Sequence, residues 1–362
     1  MNKSEMKRKR KQRKILLTII MILFTGIVLT ASTYAWFTSN QTVTVDSIDV
    51  NVAATDGLQI SVDAQDWKAI VTAADIKSAT WSGVTNQMPT GSMYPVSTVG
   101  QIDGATGFMN FYKGTIDTSE TKDETGTFAS ILTAVKDTED TDPDTNGNFA
   151  AFDLFFQTAN DVKLYLKGDS GVIAKGEDST DTIQNAARVA FVVQGAVDTT
   201  ANPTSALALK APAQADYSTP TTVGETQVDN VYFWEPNFDV HSAEAINHAS
   251  IVYGIGGLSQ TGASRLSYYG VKAPIAKGNN IKLAETNGTN TDVNYFKEIS
   301  SPEIQTAKGN TEDKFAFNLT AGVTKVRVYM WVEGQDVDCE DNASGGSITY
   351  NLKFTVKQPS NS

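Results

Sequence analysis

The chain has 362 residues, 40% of them hydrophobic, which is enough for one large or two medium domains with their own cores. Its formal net charge is −12, and eight of its 29 basic residues lie in residues 1–14, so the rest is more acidic still. Such a surface disfavours nucleic acid and anionic lipid as partners. The single cysteine, Cys339, excludes an intrachain disulfide, so stability must come from the core, from metal ions or from assembly.

The first 35 residues have the pattern of an export signal. A basic head is followed by the uncharged, mostly apolar run 15–31 and by small residues at Thr33 and Ala35. This order predicts a hydrophobic signal helix and cleavage by a signal peptidase between Ala35 and Trp36. The apolar run is also just long enough to span a bilayer, so an uncleaved anchor is the alternative. Either way, we expect the remainder to be secreted or on the cell surface, with membrane contact only through this segment.

The first strand is predicted from alternating apolar residues. Val43 and Val45 alternate, and from Ile48 onward the alternation continues in the other phase. The slip predicts a β-bulge or short break around Asp46. A second alternating stretch begins just after Gly57, which predicts a hairpin turn at that glycine.

A few short helices are predicted from apolar residues at helical spacing. One segment also predicts a helical turn that leads directly into a strand. The predicted helices span residues 67–74, 128–135 and 242–248, and the turn spans residues 181–187.

The clearest strands alternate in a way that suggests partners. We expect 149–156 to pair with 162–166, because the two lie close together in the chain. Segments 326–332 and 348–356 alternate over their whole length and predict a long antiparallel hairpin.

Many short strands, frequent turn residues and scattered helices define the expected fold class. We predict a mainly β protein, an antiparallel β-sandwich or jelly roll with long loops and a few short helices. Residues 1–35 are the signal peptide or anchor, residues 36–357 the extracellular domain, and residues 358–362 a polar tail. Segments 196–230 and 276–313 are predicted as insertions or loops, because they are polar and contain several prolines or glycines.

Several segments resemble proteins of one known group. The signal ends in TYAWFT and a Val/Thr strand follows at once, and later segments read NFAAFDLFFQ, DVKLYLKG, NAARVAFVVQG, YFWEPN and VRVYMWVEGQDVDC. The chain thereby resembles the exported proteins of Gram-positive bacteria that a dedicated signal peptidase processes, among them the TasA/camelysin-type biofilm fibre proteins. The resemblance implies a β-strand fold, processing by that peptidase and a place in an extracellular matrix.

Motifs for catalysis are incomplete. Residues 168–171 read GDSG, as around a chymotrypsin-type serine, but that chemistry needs a histidine base and an orienting aspartate. The only histidines, His241 and His248, both follow Ser170, and no HExxH zinc motif is present. A secreted hydrolase is therefore the least favoured function, and we expect no enzymatic activity.

One acidic segment has the spacing of a calcium-binding loop. Asp142, Asp144 and Asn146 alternate before a glycine, and Asp153 follows where such loops carry a final carboxylate. Pro143 within the loop, the aspartate at the last position and the strand-like flanks depart from that pattern. The alternatives are a Ca²⁺ site and a solvated acidic loop.

Two further groups have both a functional and a structural interpretation. The acidic residues around Cys339 are either a metal site or a solvated hairpin tip, and their charge would raise the pKa of the thiol and disfavour reactivity. Trp331, Tyr329 and Trp234 are either a sugar-stacking surface or core residues beneath a second layer. The acidic residues are Glu333, Asp336, Asp338, Glu340 and Asp341.

These patterns favour a non-catalytic structural or interaction protein of the cell surface or extracellular matrix, such as a biofilm fibre subunit. The alternative is an adhesin that binds carbohydrate or cell-wall glycan. The protein itself is a further expected partner, because the strand at Val43 and Val45 can either pair at home or be donated to another subunit in a filament.

Overall fold

The structure is a computed structural model in which 52% of the described residues lie in strands and 9% are helical. The prediction of a mainly β chain is therefore confirmed. The described residues are 42–53, 57–79, 86–116, 132–137, 147–174, 183–215, 230–243, 245–246, 266–276, 293–299, 304–339 and 346–357. The signal segment, its Ala35/Trp36 junction and the polar tail lie outside them. Among the described residues, no helix is both long and apolar enough to cross a bilayer.

The strands are, in chain order, β1 (Thr44–Val52), β2 (Gln59–Ser61), β3 (Ile70–Thr72), β4 (Phe111–Ile116), β5 (Leu132–Asp137), β6 (Ala150–Thr158), β7 (Val162–Leu166), β8 (Gly171–Ala174), β9 (Ala187–Val197), β10 (Val231–Pro236), β11 (Tyr268–Val271), β12 (Phe296–Ile299), β13 (Ile304–Thr306), β14 (Lys314–Leu319), β15 (Gly322–Val332) and β16 (Ser347–Lys357). Two short α-helices are α1 (Ala73–Ser78) and α2 (Pro203–Leu207), and a 3₁₀ turn spans Ile183–Asn185.

Most strands belong to two six-stranded sheets. Sheet one has the order β14-β7-β16-β1-β3, with β8 also paired to β16. Sheet two has the order β13-β10-β9-β15-β6-β2. The inner faces pack against each other, since one hydrophobic cluster holds Val50 and Leu352 from sheet one together with Val326 and Val328 from sheet two.

Aromatic rings join the two sheets at the middle of this core. The Phe156 and Phe191 rings of sheet two lie with their centroids 5.6 Å from that of Phe354 in sheet one. Phe317, also in sheet one, contacts the same two rings at 6.1 and 5.7 Å. Edge-to-face and tilted contacts of this kind add to the free energy gained by burying the rings.

The two predicted strand pairings are wrong, because neighbouring strands in the chain cross from one sheet to the other. β6 pairs with β15 and β2, whereas β7 pairs with β14 and β16. β15 and β16 likewise lie in different sheets. The expected hairpin at Gly57 fails in the same way, since β1 belongs to sheet one and β2 to sheet two.

Two very short links make these crossings side by side. Residues 159–161 connect β6 to β7, and Thr320-Ala321 connects β14 to β15. The Thr158 hydroxyl donates to the Thr320 carbonyl (3.3 Å), and the Asp161 carboxylate accepts from the Ala321 N–H (2.8 Å). These bonds hold the two crossings together.

The prediction of a bulge in the first strand is confirmed. β1 runs parallel to β16, and the register shifts between Val45 and Ser47. Val43, just before β1, exchanges two backbone hydrogen bonds with Met93 (2.8 and 2.7 Å). The segment 43–45 is thus paired within its own chain in this structure. A second parallel pair, β10 with β13, also departs from the expected all-antiparallel pairing.

A further layer covers the outer face of sheet two. We call it the covering layer; it consists of residues 86–116, 132–137, 266–276 and 293–299 and includes the antiparallel pairs β4–β5 and β11–β12. Its apolar side chains form a second cluster with residues of sheet two, among them Tyr329. Sheet two is consequently buried on both faces.

Several helix and loop predictions are corrected. The predicted helix 128–135 is replaced by strand β5 at its C-terminal end, and the predicted helix 67–74 becomes strand β3 followed by α1. The 276–313 segment was expected to be a loop but contributes β12 and β13, and the 196–230 segment contains α2. The helical turn expected in 181–187 is confirmed, and residues 243, 245 and 246 are helical within the predicted 242–248.

A buried charged cluster as the candidate functional site

Alternation along β15 determines which side chains reach the covering layer. Val326, Val328 and Met330 point into the core between the sheets. Arg327, Tyr329 and Trp331 therefore face the other way and are fully buried beneath the covering layer. Charged side chains on that face of sheet two are thus removed from water and need partners.

Arg188 is the centre of the cluster and lies at the start of β9 with no exposed surface. Its Nη1 donates to the carbonyls of Asn185 (2.8 Å) and Ala187 (2.9 Å). Its Nη2 donates to Glu235 on β10 (2.6 Å) and to Asp336 beyond β15. Burial lowers the pKa of Arg188, but the two carboxylates outweigh burial and the net shift is upward, so the guanidinium stays charged.

The loop 333–339 brings three carboxyl groups to this end of sheet two. Glu333, Asp336 and Asp338 are all buried. The loop turns tightly, because the Asp336 N–H donates to the Glu333 carbonyl (3.1 Å) and the Asp338 N–H donates to the Asp336 carboxylate (2.8 Å). The expected solvated hairpin tip is thus wrong for these three residues, while Glu340 and Asp341 lie outside the described part of the chain.

Asp338 binds the segment that follows β10. The distance between His241 Nδ1 and Asp338 Oδ2 is 2.7 Å, and the other carboxylate oxygen accepts from the Ser242 N–H at 3.0 Å. Burial raises the pKa of Asp338 to about 6 although the His241 hydrogen bond opposes that rise. Burial lowers the pKa of His241, but the hydrogen bond and charge of Asp338 outweigh it and the pKa is raised.

Glu333 is fully enclosed in the fold. It accepts hydrogen bonds from the Trp331 indole N–H (3.1 Å) and the Gln335 backbone N–H (3.1 Å), and it also interacts with the Ser97 hydroxyl. Burial raises its pKa to about 7, although these hydrogen bonds and the charge of Arg188 pull the pKa down. A carboxyl group with that pKa exchanges protons near neutral pH.

Several buried polar atoms around Arg188 have no hydrogen-bond partner among the described residues. They are the amide nitrogen and amide oxygen of the Gln335 and Asn185 side chains, the Nε2 of His241 and the Nε of Arg188. The cluster therefore offers spare hydrogen-bonding capacity for water or for protons. Within the described segments, no group of three or more His, Cys, Asp or Glu side chains is placed to hold a metal ion.

A second buried ion cluster lies further along the same face of sheet two. Asp153 on β6 is 2.9 Å from Arg327 Nη1 and 3.2 Å from Lys325 Nζ. Lys325 also donates to the carbonyls of Leu207 and Leu209 at the end of α2. The Asp153 carboxylate is thus already engaged by two cations. Asp142, Asp144 and Asn146 lie outside the described residues, so calcium binding by that loop stays a prediction.

Ser170, Cys339 and the two tryptophans Trp234 and Trp331 have structural partners. Ser170 donates to the Lys353 carbonyl (3.1 Å) and accepts from the Lys353 N–H (3.0 Å), as expected for a turn between two strands. Cys339 is fully buried in the core between the sheets. Trp331 and Trp234 are also fully buried, and they lie in different clusters on opposite faces of sheet two, so they do not form a sugar-stacking surface. His248 lies outside the described residues.

A cleft of about 320 Å³ beside β2 and α1 is a weaker candidate site. Its carboxylates already have local roles: Asp63 accepts from the N–H groups of Gln65 and Asp66 (both 2.9 Å), and Asp75 caps α1 and pairs with Lys68. These contacts explain the acidic residues of the cleft as turn and cap residues.

Sequence reasoning missed Arg188 and Glu235. A signal for both was present, since each is a lone charge in an otherwise apolar strand, in NAARVAFVV and in VYFWEP. A charge at such a position must be paired when the strand is buried on both faces.

The comparisons with known proteins give no match for this architecture. No protein-family model, no curated protein and no solved structure matches the chain.

Proposed function

We propose that the chain is an exported, non-catalytic structural protein of the cell surface or extracellular matrix. The observation that carries the proposal is that three reactive side chains identified in the sequence, all of them in the described part of the chain, are engaged in structural contacts. Ser170 bonds the backbone of Lys353, His241 bonds Asp338, and Cys339 packs in the core. Groups held in this way contribute to stability and specificity of the fold.

Export is the second part of the proposal and rests on residues 1–35. Their basic head, apolar run and small residues before Trp36 are the features that a signal peptidase recognises. A fibre subunit of a biofilm matrix is the particular role that the resemblance to TasA/camelysin-type proteins suggests. A large two-sheet protein with strand segments at both ends suits such a role, because strands can pair between subunits.

Expression of the whole chain in a Gram-positive host tests this proposal. We expect the protein in the medium or on the cell surface, with Trp36 as its first residue by N-terminal sequencing. Ala35→Leu should block cleavage and leave the protein membrane-anchored, while the matched downstream change Thr38→Leu should not. Electron microscopy of the extracellular fraction should show fibres. Unprocessed protein in the cytoplasm would contradict export, and only monomers outside the cell would contradict the fibre role.

A second candidate function, binding of carbohydrate or cell-wall glycan, is favoured by one surface feature. Tyr165 on β7 and Phe315 on β14 are register partners on the outer face of sheet one, with ring centroids 5.8 Å apart. Both are half-buried, and Lys163 and Asn318 form a further register pair on the same two strands, beyond Leu164 and Phe317. Aromatic faces beside polar groups suit sugar rings. Binding on a glycan array that Tyr165→Ala and Phe315→Ala abolish would support it, and binding unchanged by both would remove it.

A further inference from the structure

We propose that the buried charged cluster is a proton-operated clasp. When its surplus carboxyl groups carry protons, it holds the 333–339 loop against the segment at residues 241–246, and it loosens when those protons leave. This inference is independent of the proposed function, because it concerns how the fold responds to pH.

The described charges of the cluster do not balance. Within the described residues, four carboxyl groups face one guanidinium and one imidazole, and all six groups are at least nine-tenths buried. Fully ionised carboxylates with a neutral imidazole would leave three uncompensated negative charges away from water, which is strongly unfavourable. Uptake of protons is the simplest compensation that these residues allow. The carboxyl groups are those of Glu235, Glu333, Asp336 and Asp338, and the cations are Arg188 and His241.

The groups that face each titrating side chain come from several elements of the fold. Around Glu333 these are Arg188 from β9, with the hydrogen-bond donors Trp331 and Ser97. Around the Asp338–His241 pair the charged neighbours are Asp336 and Glu235, which are both negative. Tyr268 on β11 and Tyr350 on β16 also face Arg188. The Asp338–His241 pair thus has anionic neighbours, and Arg188, the cation beside Glu333, is already shared between Glu235 and Asp336.

Among the described residues, the contacts that join residues 241–243 and 245–246 to the loop include two hydrogen bonds to Asp338, with His241 and the Ser242 N–H, and one small apolar group, Ala245 with Leu266 and Val337. Both hydrogen bonds end on one buried carboxyl group, so its protonation bears directly on them. A change in the charge of the cluster therefore acts first on this segment.

The direction of the pH response follows from the shifts described above. The pKa of Glu333 is about 7 against an ordinary 4.5, that of Asp338 about 6 against 3.8, and that of His241 is raised above 6.5. Groups whose pKa is higher in the folded than in the unfolded chain bind protons on folding. Their stabilisation is complete below the unfolded values and is lost as the pH rises through the folded values, so the clasp weakens as the pH rises from about 4.5, the unfolded value of Glu333, through about 7, its folded value.

The test uses the protein as secreted, with thermal unfolding and amide hydrogen exchange measured from pH 5.5 to 8.5. We expect the melting temperature to fall by about 5–10 °C over this range. Peptides covering 241–246 and 333–339 should lose protection with rising pH after correction for the intrinsic exchange rate, before peptides of β9 and β15 do. Equal protection of the two sets of peptides at all pH values would overturn the proposal.

Variants connect the response to the cluster. Glu333→Gln and Asp338→Asn keep the side-chain shape without the titration and should each flatten the fall in melting temperature. Asp169→Asn is the matched control: Asp169 lies in an exposed pair with Lys353 and its pKa is lowered, so this variant should keep the wild-type slope. An unchanged slope in both cluster variants would overturn the clasp. If a cluster variant does not fold, the exchange measurement on the wild-type protein decides.

Discussion

Single charged residues buried in sheet two have large expected effects on stability. Arg188 bridges three parts of the fold, namely the start of β9, the end of β10 through Glu235 and the 333–339 loop through Asp336. Loss of the guanidinium would leave both carboxylates buried without the cation that pairs with them. Arg188 therefore matters to stability mainly because its removal would leave buried carboxylates without a cation. The ion pairs themselves contribute less.

We expect Arg188→Met to lower the free energy of unfolding by about 3–5 kcal/mol. Chemical denaturation at neutral pH measures this decrease in the free energy of unfolding. Lys353→Met is the matched control, because Lys353 pairs with Asp169 at the surface and should cost less than about 1 kcal/mol. Similar small losses in both variants would show that the buried cluster contributes no more to stability than a surface ion pair does.

Asp153 has a structural role in its ion pairs with Arg327 and Lys325 that can be tested separately from calcium binding. Millimolar Ca²⁺ should raise the melting temperature, and Asp144→Ala should abolish the increment. Asp153→Asn should instead destabilise the protein with or without Ca²⁺, because it leaves Arg327 and Lys325 without their shared carboxylate. A melting curve that is the same in Ca²⁺ and in EGTA would remove the calcium site.

At the scale of elements, the crossings between the sheets depend on local backbone geometry. Gly322 begins β15 directly after the Thr320-Ala321 link and has a φ of +119°. A Cβ at this position would lie 2.2 Å from the Val197 carbonyl oxygen of the neighbouring strand β9. Both facts require glycine there.

Gly322→Ala should therefore destabilise the protein by at least about 2 kcal/mol, from backbone strain and from the displaced Val197 carbonyl. Gly171→Ala is the matched control: Gly171 begins β8, is not among the positive-φ glycines, and has no heavy atom near its added Cβ. That change should be neutral or slightly stabilising. Denaturation midpoints of the two variants test the pair, and equal midpoints would contradict the argument.

Sequence periodicity correctly predicted which face of a strand each side chain occupies, but it did not predict which strands pair with each other. Alternation placed Val326 and Val328 on one face and Arg327 on the other, as the structure has them. Alternation carries no information on which sheet a strand joins, so strands that follow one another in the chain, such as β6 and β7, were predicted to pair although they lie in different sheets. The segment 132–137 has apolar residues that fit a helix or a strand, and its pairing with β4 decides for the strand.

Tertiary context also explains why the candidate site was only partly predictable. Glu333, Asp336 and Asp338 were noticed as an acidic group, but were interpreted as either a metal site or a solvated hairpin tip. Their burial depends on Arg188, which lies far away in the chain and meets them only because β9 and β15 are neighbours in sheet two. Long-range pairing of this kind is invisible to local patterns.

At the scale of the whole molecule, the two ends of the domain meet in sheet one. β1 lies between β16 and β3, with Thr44 opposite Ser347 and Val45 opposite Ile348. The strand proposed for donation between subunits therefore has a place in its own chain, and exchange would have to vacate that place.

Proteins that start at Trp36 and at Asp46 should differ for this reason. The shorter protein loses the pairing of Val43 with Met93 and the first two register pairs with β16, so its melting temperature should be lower. Filaments from the longer protein alone, seen by electron microscopy, would support strand donation. Monomers from both at high concentration and across pH would exclude it and favour the glycan-binding role.

The parallel pairing of β1 with β16 also has a mechanical consequence. The chain enters β1 beside the start of β16 and leaves β16 beyond the end of β1, so the two termini depart from opposite ends of the pair. A pulling force applied through the termini would slide the two strands along each other, so that their evenly spaced hydrogen bonds resist the force together. In a hairpin, the same force would break the hydrogen bonds one at a time. Force applied through the termini would thus load this strand pair in shear.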